Sequence, residues 1–387
     1  MKVTCATSLN ADSLEAAREV VRAVSGGLGG ARPDLAFLFV SRHHVPLLEE
    51  ILAGLHGNID ARHLLGSTGE GIIGGRLEHE NRPALALWAS VLPNVEIASG
   101  HVVTEPTPEG PVFHGTPQLP EEPATLLLLG EPFSFDAEAF ISRLSEDAPA
   151  LQVVGGLSSG ARVPGENRLV WNGDVFVDGA VALTLSGAIR VRALVSQGCR
   201  PFGRRLVVTK AESNLILELG GRPAVEKLND QLSELPADER VLLQRGLHLG
   251  LAVDARKETH RRGDFLVRNV LGYAPEKGAL LVTDVVRPGT TVQFHLRDAD
   301  TASEDLERLL CRARESGWKP LGALLFSCNG RGSKLFHRSN HDAEAVNRNL
   351  GDVPLAGFFA AGEIGPVGGR SFLHGFTASL ALFEDRT

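Results

Sequence analysis

The feature that most constrains this chain is a glycine-punctuated stretch from Leu321 to Pro366. Two apolar segments in it each run into a polar loop containing glycines, at residues 328–332 and 362–366. Apolar residues at helical spacing occupy 340–350, so the pattern predicts strand, helix and strand, the usual route to two parallel neighbours. Ligands bind beyond the carboxyl ends of such strands. The stretch therefore predicts one side of a small-molecule pocket.

The same outline occurs twice more along the chain. A strand near 35–40 and a helix lead to the loop Gly66-Ser67-Thr68-Gly69-Glu70-Gly71, and a strand near 125–129 and a helix lead to a glycine loop at 155–160. Each unit is a little over thirty residues long, roughly the length of one strand-helix-strand unit, so we interpret it as an internal repeat. The alternative is that any strand-helix-strand unit has this length and ends in glycine. Under either interpretation the loops form one composite site or two related ones.

Composition excludes several classes of protein. Nucleic-acid binding needs a clustered basic surface, and the sequence has a formal net charge of −8 and no basic cluster, so we expect no nucleic-acid partner. The alternative is a local basic patch that only folding assembles. No segment approaches the roughly 20 uninterrupted apolar residues of a membrane span, and the N-terminus has no apolar signal core. The sequence therefore predicts a cytoplasmic protein with no membrane association.

The four cysteines, Cys5, Cys199, Cys311 and Cys328, are scattered. They form no CxxC pair and have no Cys/His spacing suited to structural zinc, so we expect neither a metal nor a cofactor. In a reducing cytosol they stay thiols.

The remaining segments alternate with period 2, which predicts antiparallel hairpins. Strand character ends near Gly220-Gly221-Arg222-Pro223, where a helix follows. The fold class expected is α/β with mixed, twisted sheets covered by helices, built on repeated strand-helix-strand-glycine-loop units. The domains expected are 1–220 and 221–387.

Seven segments form a set of motifs that follow one another in a fixed order. They are Val195-Ser196-Gln197-Gly198-Cys199-Arg200-Pro201-Phe202-Gly203, Val208-Thr209-Lys210-Ala211, Gly221-Arg222-Pro223-Ala224, Arg268-Asn269-Val270-Leu271-Gly272, Gln293-Phe294-His295-Leu296-Arg297-Asp298, Ser327-Cys328-Asn329-Gly330-Arg331-Gly332 and Gly357-Phe358-Phe359-Ala360-Ala361-Gly362-Glu363-Ile364-Gly365-Pro366. These motifs resemble those of FIST proteins, the F-box and intracellular signal transduction family, in the family's order. The resemblance runs from about residue 31 to residue 382.

This resemblance implies a sensory module that binds a small ligand, such as an amino acid or a related carboxylate. We expect no fused kinase, cyclase, receiver or F-box domain, so a sensor of this kind would need a downstream signalling protein as its partner. One departure lies at Gly66-Ser67-Thr68, where family members often have a cysteine after the glycine. Thiol chemistry at that loop is therefore not expected here.

Arg331 and Glu363 lead the candidate ligand-binding residues. A guanidinium on a flexible loop can hold a carboxylate through two parallel hydrogen bonds, and Glu363 could pair with an ammonium group. The alternative is that these two side chains pair with each other and close the two loops. The other candidates lining a cleft between glycine loops of both domains are Asn329, Gly330, Gly332, Gly362, Cys328, Cys199, Arg200, Ser67, Thr68, Ser158 and His374.

Two other classes of function stay open at this point. A cysteine at a strand end near His337 or His341 could be a nucleophile with its base, which would make the chain a thiol-dependent hydrolase or transferase using Cys328. Buried cysteines, however, are most often packing residues, so we assign no catalytic residue and favour a non-enzyme. A scaffold for protein interaction would bind no small molecule at all.

Overall fold

The computed structural model describes residues 1–120, 124–237, 239–254, 257, 259–260 and 263–386. Its helices are α1 (Ser13–Leu28), α2 (Leu48–His56), α3 (Ala137–Asp147), α4 (Ala224–Glu234), α5 (Ala299–Glu315), α6 (Gly332–Phe336) and α7 (His341–Leu350), with 3₁₀ turns at Arg42–Leu47, Glu239–Arg245 and Pro275–Lys277. No helix in these ranges is long and apolar enough to cross a membrane.

The strands fall into three groups along the chain. The first group is β1 (Lys2–Ser8), β2 (Leu35–Ser41), β3 (His63–Gly69), β4 (Gly71–Gly74), β5 (Leu77–Glu80), β6 (Leu85–Val91), β7 (Val95–Thr107), β8 (Gly110–His114), β9 (Thr125–Gly130), β10 (Gln152–Leu157), β11 (Leu169–Trp171), β12 (Asp174–Phe176), β13 (Ala180–Gly187) and β14 (Ile189–Gln197). The second is β15 (Cys199–Glu212), β16 (Leu215–Leu219), β17 (Arg222–Pro223), β18 (Leu247–Ala252), β19 (Phe265–Ala274), β20 (Ala279–Val282) and β21 (Thr291–Arg297). The third is β22 (Gly322–Cys328), β23 (Leu355–Ala360), β24 (Glu363–Val367), β25 (Arg370–His374) and β26 (Thr377–Asp385).

The chain forms two compact units. The larger unit holds residues 1–195, 306–373 and 377–386, and the smaller unit holds residues 196–305 and 374–376. The boundary expected after residue 220 falls inside the smaller unit. The two compact units therefore do not coincide with the expected domains 1–220 and 221–387, and that assignment stays a prediction. The α/β class with mixed sheets covered by helices is confirmed.

The larger unit contains three sheets. Their strand orders are β1-β6-β2-β3-β11-β12, β25-β24-β10-β9-β13-β7-β8 and β14-β26-β22-β23-β4-β5. Each sheet contains a parallel pair whose strands are connected through helical segments, namely β2 with β3, β9 with β10, and β22 with β23. All three predicted strand-helix-strand units are therefore present.

The three repeated units share one core. The sequence of β2 is continuously apolar because both faces of the strand are buried. Leu35, Phe37 and Phe39 face the common core, while the alternate residues face α1 and α2. β9 and β22 behave in the same way, each with one face in the common core and one against its own helix. Phe39 lies 5.3 Å from Phe358 between ring centroids, so the sheets are in direct contact. This packing brings the carboxyl ends of the parallel strands together.

The smaller unit is built on one antiparallel sheet with the order β15-β21-β18-β19-β20-β16-β17. One face packs on α4 through an apolar core that includes Leu228, Leu249 and Phe294. Alternate residues of β21, Val292, Phe294 and Leu296, face that core, as expected for a strand with period-2 alternation.

Candidate functional site

A pocket of about 360 Å³ lies in the larger unit, where the loops that follow β3, β10, β22 and β23 converge. We call it the strand-end pocket. Its lining comes from both halves of the sequence and consists of Arg42, Glu70, Asn81, Pro132, Phe133, Ser158, Ser159, Gly160, Ala161, Arg162, Asn167, Asn329 and Ala361. The three glycine loops of the repeated units thus meet at one place.

Hydrogen bonds between the loops fix the floor of this pocket. The hydroxyls of Ser67 and Ser158 lie 2.7 Å apart, and the backbone N–H of Glu70 donates to Ser159 Oγ at 2.7 Å. The backbone N–H of Ser159 donates to the carbonyl of Thr68 at 3.2 Å. The loop after β3 is therefore tied to the loop after β10 through side chains and backbone together.

The C-terminal loops are joined to the same floor. The Leu157 N–H donates to the Gly362 carbonyl at 2.8 Å, and the Ala361 N–H donates back to the Leu157 carbonyl at 3.0 Å. Asn329 N–H donates to the Ala360 carbonyl at 2.8 Å. Gly156 allows this close approach, since a Cβ there would lie 3.0 Å from the Ala360 Cβ.

Charged side chains surround the pocket mouth. Lys334 Nζ donates to Glu70 Oε1 at 2.8 Å and to the Asn329 carbonyl at 3.1 Å. Arg42 pairs with Glu166 at 2.9 Å, and Glu166 also accepts from the backbone N–H of Arg162 at 2.8 Å.

The wall near β9 is both polar and aromatic. Phe133 is half exposed, while Asn167 is buried and donates to Glu131 Oε1 at 3.1 Å. Glu131 Oε2 accepts from the Phe133 N–H and the Ser134 hydroxyl, which holds this turn in place. The pocket therefore combines an aromatic ring, amides and both signs of charge.

Arg331 lies behind the pocket and is completely buried. Its Nε and Nη2 each donate at 2.8 Å to Asp342, one to each carboxylate oxygen. Asp342 also accepts from Ser327 Oγ at 2.7 Å and lies 2.8 Å from His341 Nδ1. We call Arg331, Asp342, Ser327 and His341 the buried ion cluster.

This arrangement differs from both expectations for Arg331. The guanidinium is not on an exposed flexible loop, and its paired partner is Asp342 instead of a ligand or Glu363. Within the described residues its Nη1 is buried without a hydrogen bond. The Arg331 charge keeps the pKa of Asp342 far below its usual range despite burial. Direct ligand binding by Arg331 stays a prediction, and Nη1 has donor capacity left for it.

Two glutamates from β5 support the same region. Glu78 Oε1 accepts from the backbone N–H groups of Asp342 and Ala343, at the start of α7, at 2.8 and 2.9 Å. Glu80 accepts from the N–H and hydroxyl of Ser333 at 2.9 and 2.8 Å, at the start of α6. Burial, together with the neighbouring Asp342 charge, raises the pKa of Glu78 to about 8.

Glu363 is also buried, at the start of β24. Its Oε2 accepts from the N–H and hydroxyl of Thr377 at 3.0 and 2.9 Å. Burial raises the pKa of Glu363 to about 8, although Thr377, Arg331 and the Cys328 thiol each act to lower it. The carboxyl group is therefore mainly neutral at pH 7.

The predicted site residues thus fall into three places. Ser158 and Asn329 line the strand-end pocket, and Ser67 and Thr68 lie directly behind it. Cys328, Gly330, Arg331, Gly332, Gly362 and Glu363 belong to the loops and strand ends that build its floor. Cys199, Arg200 and His374 belong to the smaller unit.

In the smaller unit these three residues have their own surroundings. Cys199 is buried on β15 opposite Arg297 of β21. Arg200 pairs with Glu239 at 2.9 Å and lies 3.7 Å from Asp298, and His374 is buried.

Several residues at the site were not predicted from the sequence. Glu70 stands between two glycines, as Arg331 does, and that pattern could have identified it. Asp342 occupies the first turn of a predicted helix, where acidic residues are favoured, so nothing distinguished it from an ordinary helix-start residue. Glu78, Glu80 and Arg42 carry no local signal, because only the tertiary fold brings them to the site.

Comparison with known proteins identifies the family. The FIST N domain matches residues 34–222 and the FIST C domain matches residues 224–366. The chain is 42% identical over 386 residues to Uncharacterized protein Rv0628c of Mycobacterium tuberculosis (strain ATCC 25618 / H37Rv), covering all of both chains. It is 40% identical over 395 residues to Uncharacterized protein Mb0898c of Mycobacterium bovis, covering 100% of this chain and 99% of the relative. The chain therefore belongs to the FIST family and carries its N and C domains in tandem.

Proposed function

We propose that this protein is a sensor that binds a small polar molecule in the strand-end pocket and relays its occupancy to a partner protein. FIST domains are associated with signal transduction and sensing. The observation that carries the proposal is the convergence of glycine loops from three repeated units on one pocket of about 360 Å³. That volume is within the range of ligand pockets, which is roughly 300–1,000 Å³.

The ligand we propose is a small zwitterion, such as an amino acid, or a related carboxylate. Arg42 and Arg162 supply guanidinium groups for a carboxylate, and Glu70 supplies a carboxylate for an ammonium group. Asn81 and Asn329 add amides that can donate or accept. Half-exposed Phe133 offers an apolar surface for the rest of the molecule.

A change in the arrangement of the loops would transmit ligand binding to the partner protein. Glu70, Ser159, Asn329 and Ala361 belong to four different strand ends, so one ligand would contact elements of all three sheets. A ligand that binds one loop arrangement more tightly than another shifts the population toward that arrangement. A partner that reads the loop surface would then respond to the ligand.

A thermal-shift screen against amino acids and simple carboxylates tests the proposal. A compound that binds the folded protein must raise its melting temperature. We expect Arg162→Ala to abolish that rise, and Glu70→Gln to weaken binding of amino acids more than binding of carboxylates that lack an ammonium group. Arg143→Ala is the matched control, because Arg143 is an exposed arginine on α3 paired with Asp147.

The competing classes predict other outcomes in the same experiment. A scaffold would show no stabilisation by any compound. A thiol-dependent hydrolase would turn over its substrate, with Cys328→Ser abolishing turnover while affinity is retained. Equal binding by wild type and Arg162→Ala would contradict a ligand site in the strand-end pocket.

A further inference from the structure

Cys328 is the last residue of β22 and directly precedes a residue of the strand-end pocket. Its neighbour Asn329 lines the pocket, and the Cys328 residue keeps 7% of its surface exposed. The backbone N–H of Gly330 points to the sulfur at 3.5 Å. A thiolate at this position would therefore accept a hydrogen bond from the loop.

A fixed positive charge lies beside this thiol. Arg331 is close enough to Cys328 for their charges to interact, and its guanidinium is held rigidly by two hydrogen bonds to Asp342. Its buried Nη1 makes no hydrogen bond within the described residues. A nearby guanidinium stabilises a thiolate relative to the thiol.

A buried acid, Glu363, lies beside the thiol. Glu363 Oε2 accepts from the Thr377 hydroxyl, and the Glu363 carboxyl is within hydrogen-bonding reach of the Cys328 thiol. The Cys328 thiol lies close enough to the Glu363 carboxyl to lower its pKa, but burial has the larger effect and raises that pKa to about 8. Glu363 therefore carries a proton at neutral pH that it can donate.

We propose that Cys328 is a redox modification site, which a small hydroperoxide oxidises to sulfenic acid with Arg331 stabilising the thiolate and Glu363 donating a proton. The thiol first loses its proton to solvent, and the thiolate then attacks one peroxide oxygen. An S–O bond forms as the O–O bond breaks, so the sulfur is oxidised and the peroxide reduced. The departing alkoxide or hydroxide takes the Glu363 proton and leaves as alcohol or water, and solvent reprotonates Glu363.

Two of the other cysteines, Cys5 and Cys311, have different surroundings. Burial raises the pKa of Cys5 to about 12, so its thiolate is scarce. Cys311 on α5 is more exposed than Cys328 and lies 3.9 Å from Arg314, and its thiol donates to Asn349 Oδ1 at 3.2 Å. It is the matched control, because exposure alone would make Cys311 the more reactive thiol.

The proposal goes beyond ligand sensing, since the chemistry requires only the protein and a peroxide. The reduced full chain is treated with hydrogen peroxide and a dimedone trap, and sulfenic acid is quantified at each cysteine by peptide mass spectrometry. We expect Cys328 to react roughly ten-fold faster than Cys311, and Glu363→Gln to slow Cys328 by a similar factor while leaving Cys311 unchanged.

Two results would overturn the proposal. Faster labelling of Cys311 than of Cys328 in the wild type would show that exposure, and not the surroundings of Cys328, controls reactivity. An unchanged Cys328 rate in Glu363→Gln would remove Glu363 as the proton donor. The wild-type comparison stands even if that variant folds poorly, and ligand-induced thermal shifts report on the proposed sensor separately.

Discussion

One ion pair lies at the mouth of the strand-end pocket and another lies behind its floor. These two ion pairs differ in burial and not in N···O distance. Lys334–Glu70 and Arg331–Asp342 both have N···O distances of 2.8 Å. The first pair has side chains 50% and 35% exposed, whereas the second has side chains 0% and 1% exposed. Water can replace either partner of the mouth pair, but nothing replaces the partner of a buried charge. The mouth pair can therefore exchange with a ligand, while the buried pair holds the floor.

The largest effect expected from this difference is the loss of the buried pair. Asp342→Asn keeps the side-chain shape but leaves the Arg331 guanidinium without a counter-charge in the protein interior. Breaking a buried pair in this way costs about 3–5 kcal/mol. Urea unfolding at pH 7 should therefore show a lower free energy of unfolding by about that amount. A loss below about 1 kcal/mol would mean that the buried pair behaves like an exposed one.

The buried carboxyl groups predict a dependence of stability on pH. The folded-state pKa of Glu363 and of Glu78 is raised to about 8, above the ordinary value of 4.5. The folded state then holds protons that the unfolded state has released, so stability is greatest below pH 4.5 for these groups and falls as pH rises through 8. The slope for one group is at most about 1.4 kcal/mol per pH unit.

The range from about pH 7.5 to 8.5 isolates this effect. Burial lowers the pKa of His44, His248 and His295 to about 4, so their contribution has the opposite sign, is half lost at pH 6.5 and has largely ended by about pH 7.5. We expect the free energy of unfolding of the wild type to decrease across this range, and Glu363→Gln to flatten the decrease. Parallel profiles for the two proteins would show that Glu363 is ionised throughout.

Much of the fold was accessible from sequence because its signals are local. The apolar runs that became β2, β9 and β22 are continuous, since each strand is covered on both faces. Glycines after those runs marked the strand ends that meet at the pocket. Parallel pairing followed from the helix between the strands, as confirmed for β22 and β23.

The electrostatic part of the site was not accessible in this way. The pattern around Arg331 indicated a functional arginine, but its exposure depends on how α7 packs against β22, which places Asp342 opposite it. Glu78 and Glu80 reach the same place from β5, more than 250 residues earlier along the chain. Local sequence patterns carry no information on such distant pairs.

An intermediate effect is expected at Gly332, which links the floor to α6. Its φ is +57°, and a Cβ there would lie 2.8 Å from Glu80 Oε1. Gly332→Ala therefore combines backbone strain with displacement of the carboxylate that holds Ser333, for a loss of about 2 kcal/mol. Gly29→Ala is the control, because its φ of +69° and ψ of +31° are also left-handed and a Cβ there would meet only the end of the Lys2 side chain, at 3.4 Å, so only the strain of about 1 kcal/mol remains. Equal losses would show that Glu80 adjusts without cost.

The smallest effect on stability is expected at the mouth, where Lys334→Met removes the charge that pairs with Glu70. Exposed pairs contribute at most about 1 kcal/mol, and salt screens them, so the loss measured by urea unfolding should be below that value and should vanish in 0.5 M salt. The same change frees the Glu70 carboxylate from its competitor. If the pocket binds a zwitterion, Lys334→Met should then strengthen the contact with the ammonium group, and the ligand-induced thermal shift should grow. A stability loss of several kcal/mol would instead place Lys334 among the groups that hold the floor, and the distinction between mouth and floor would fail.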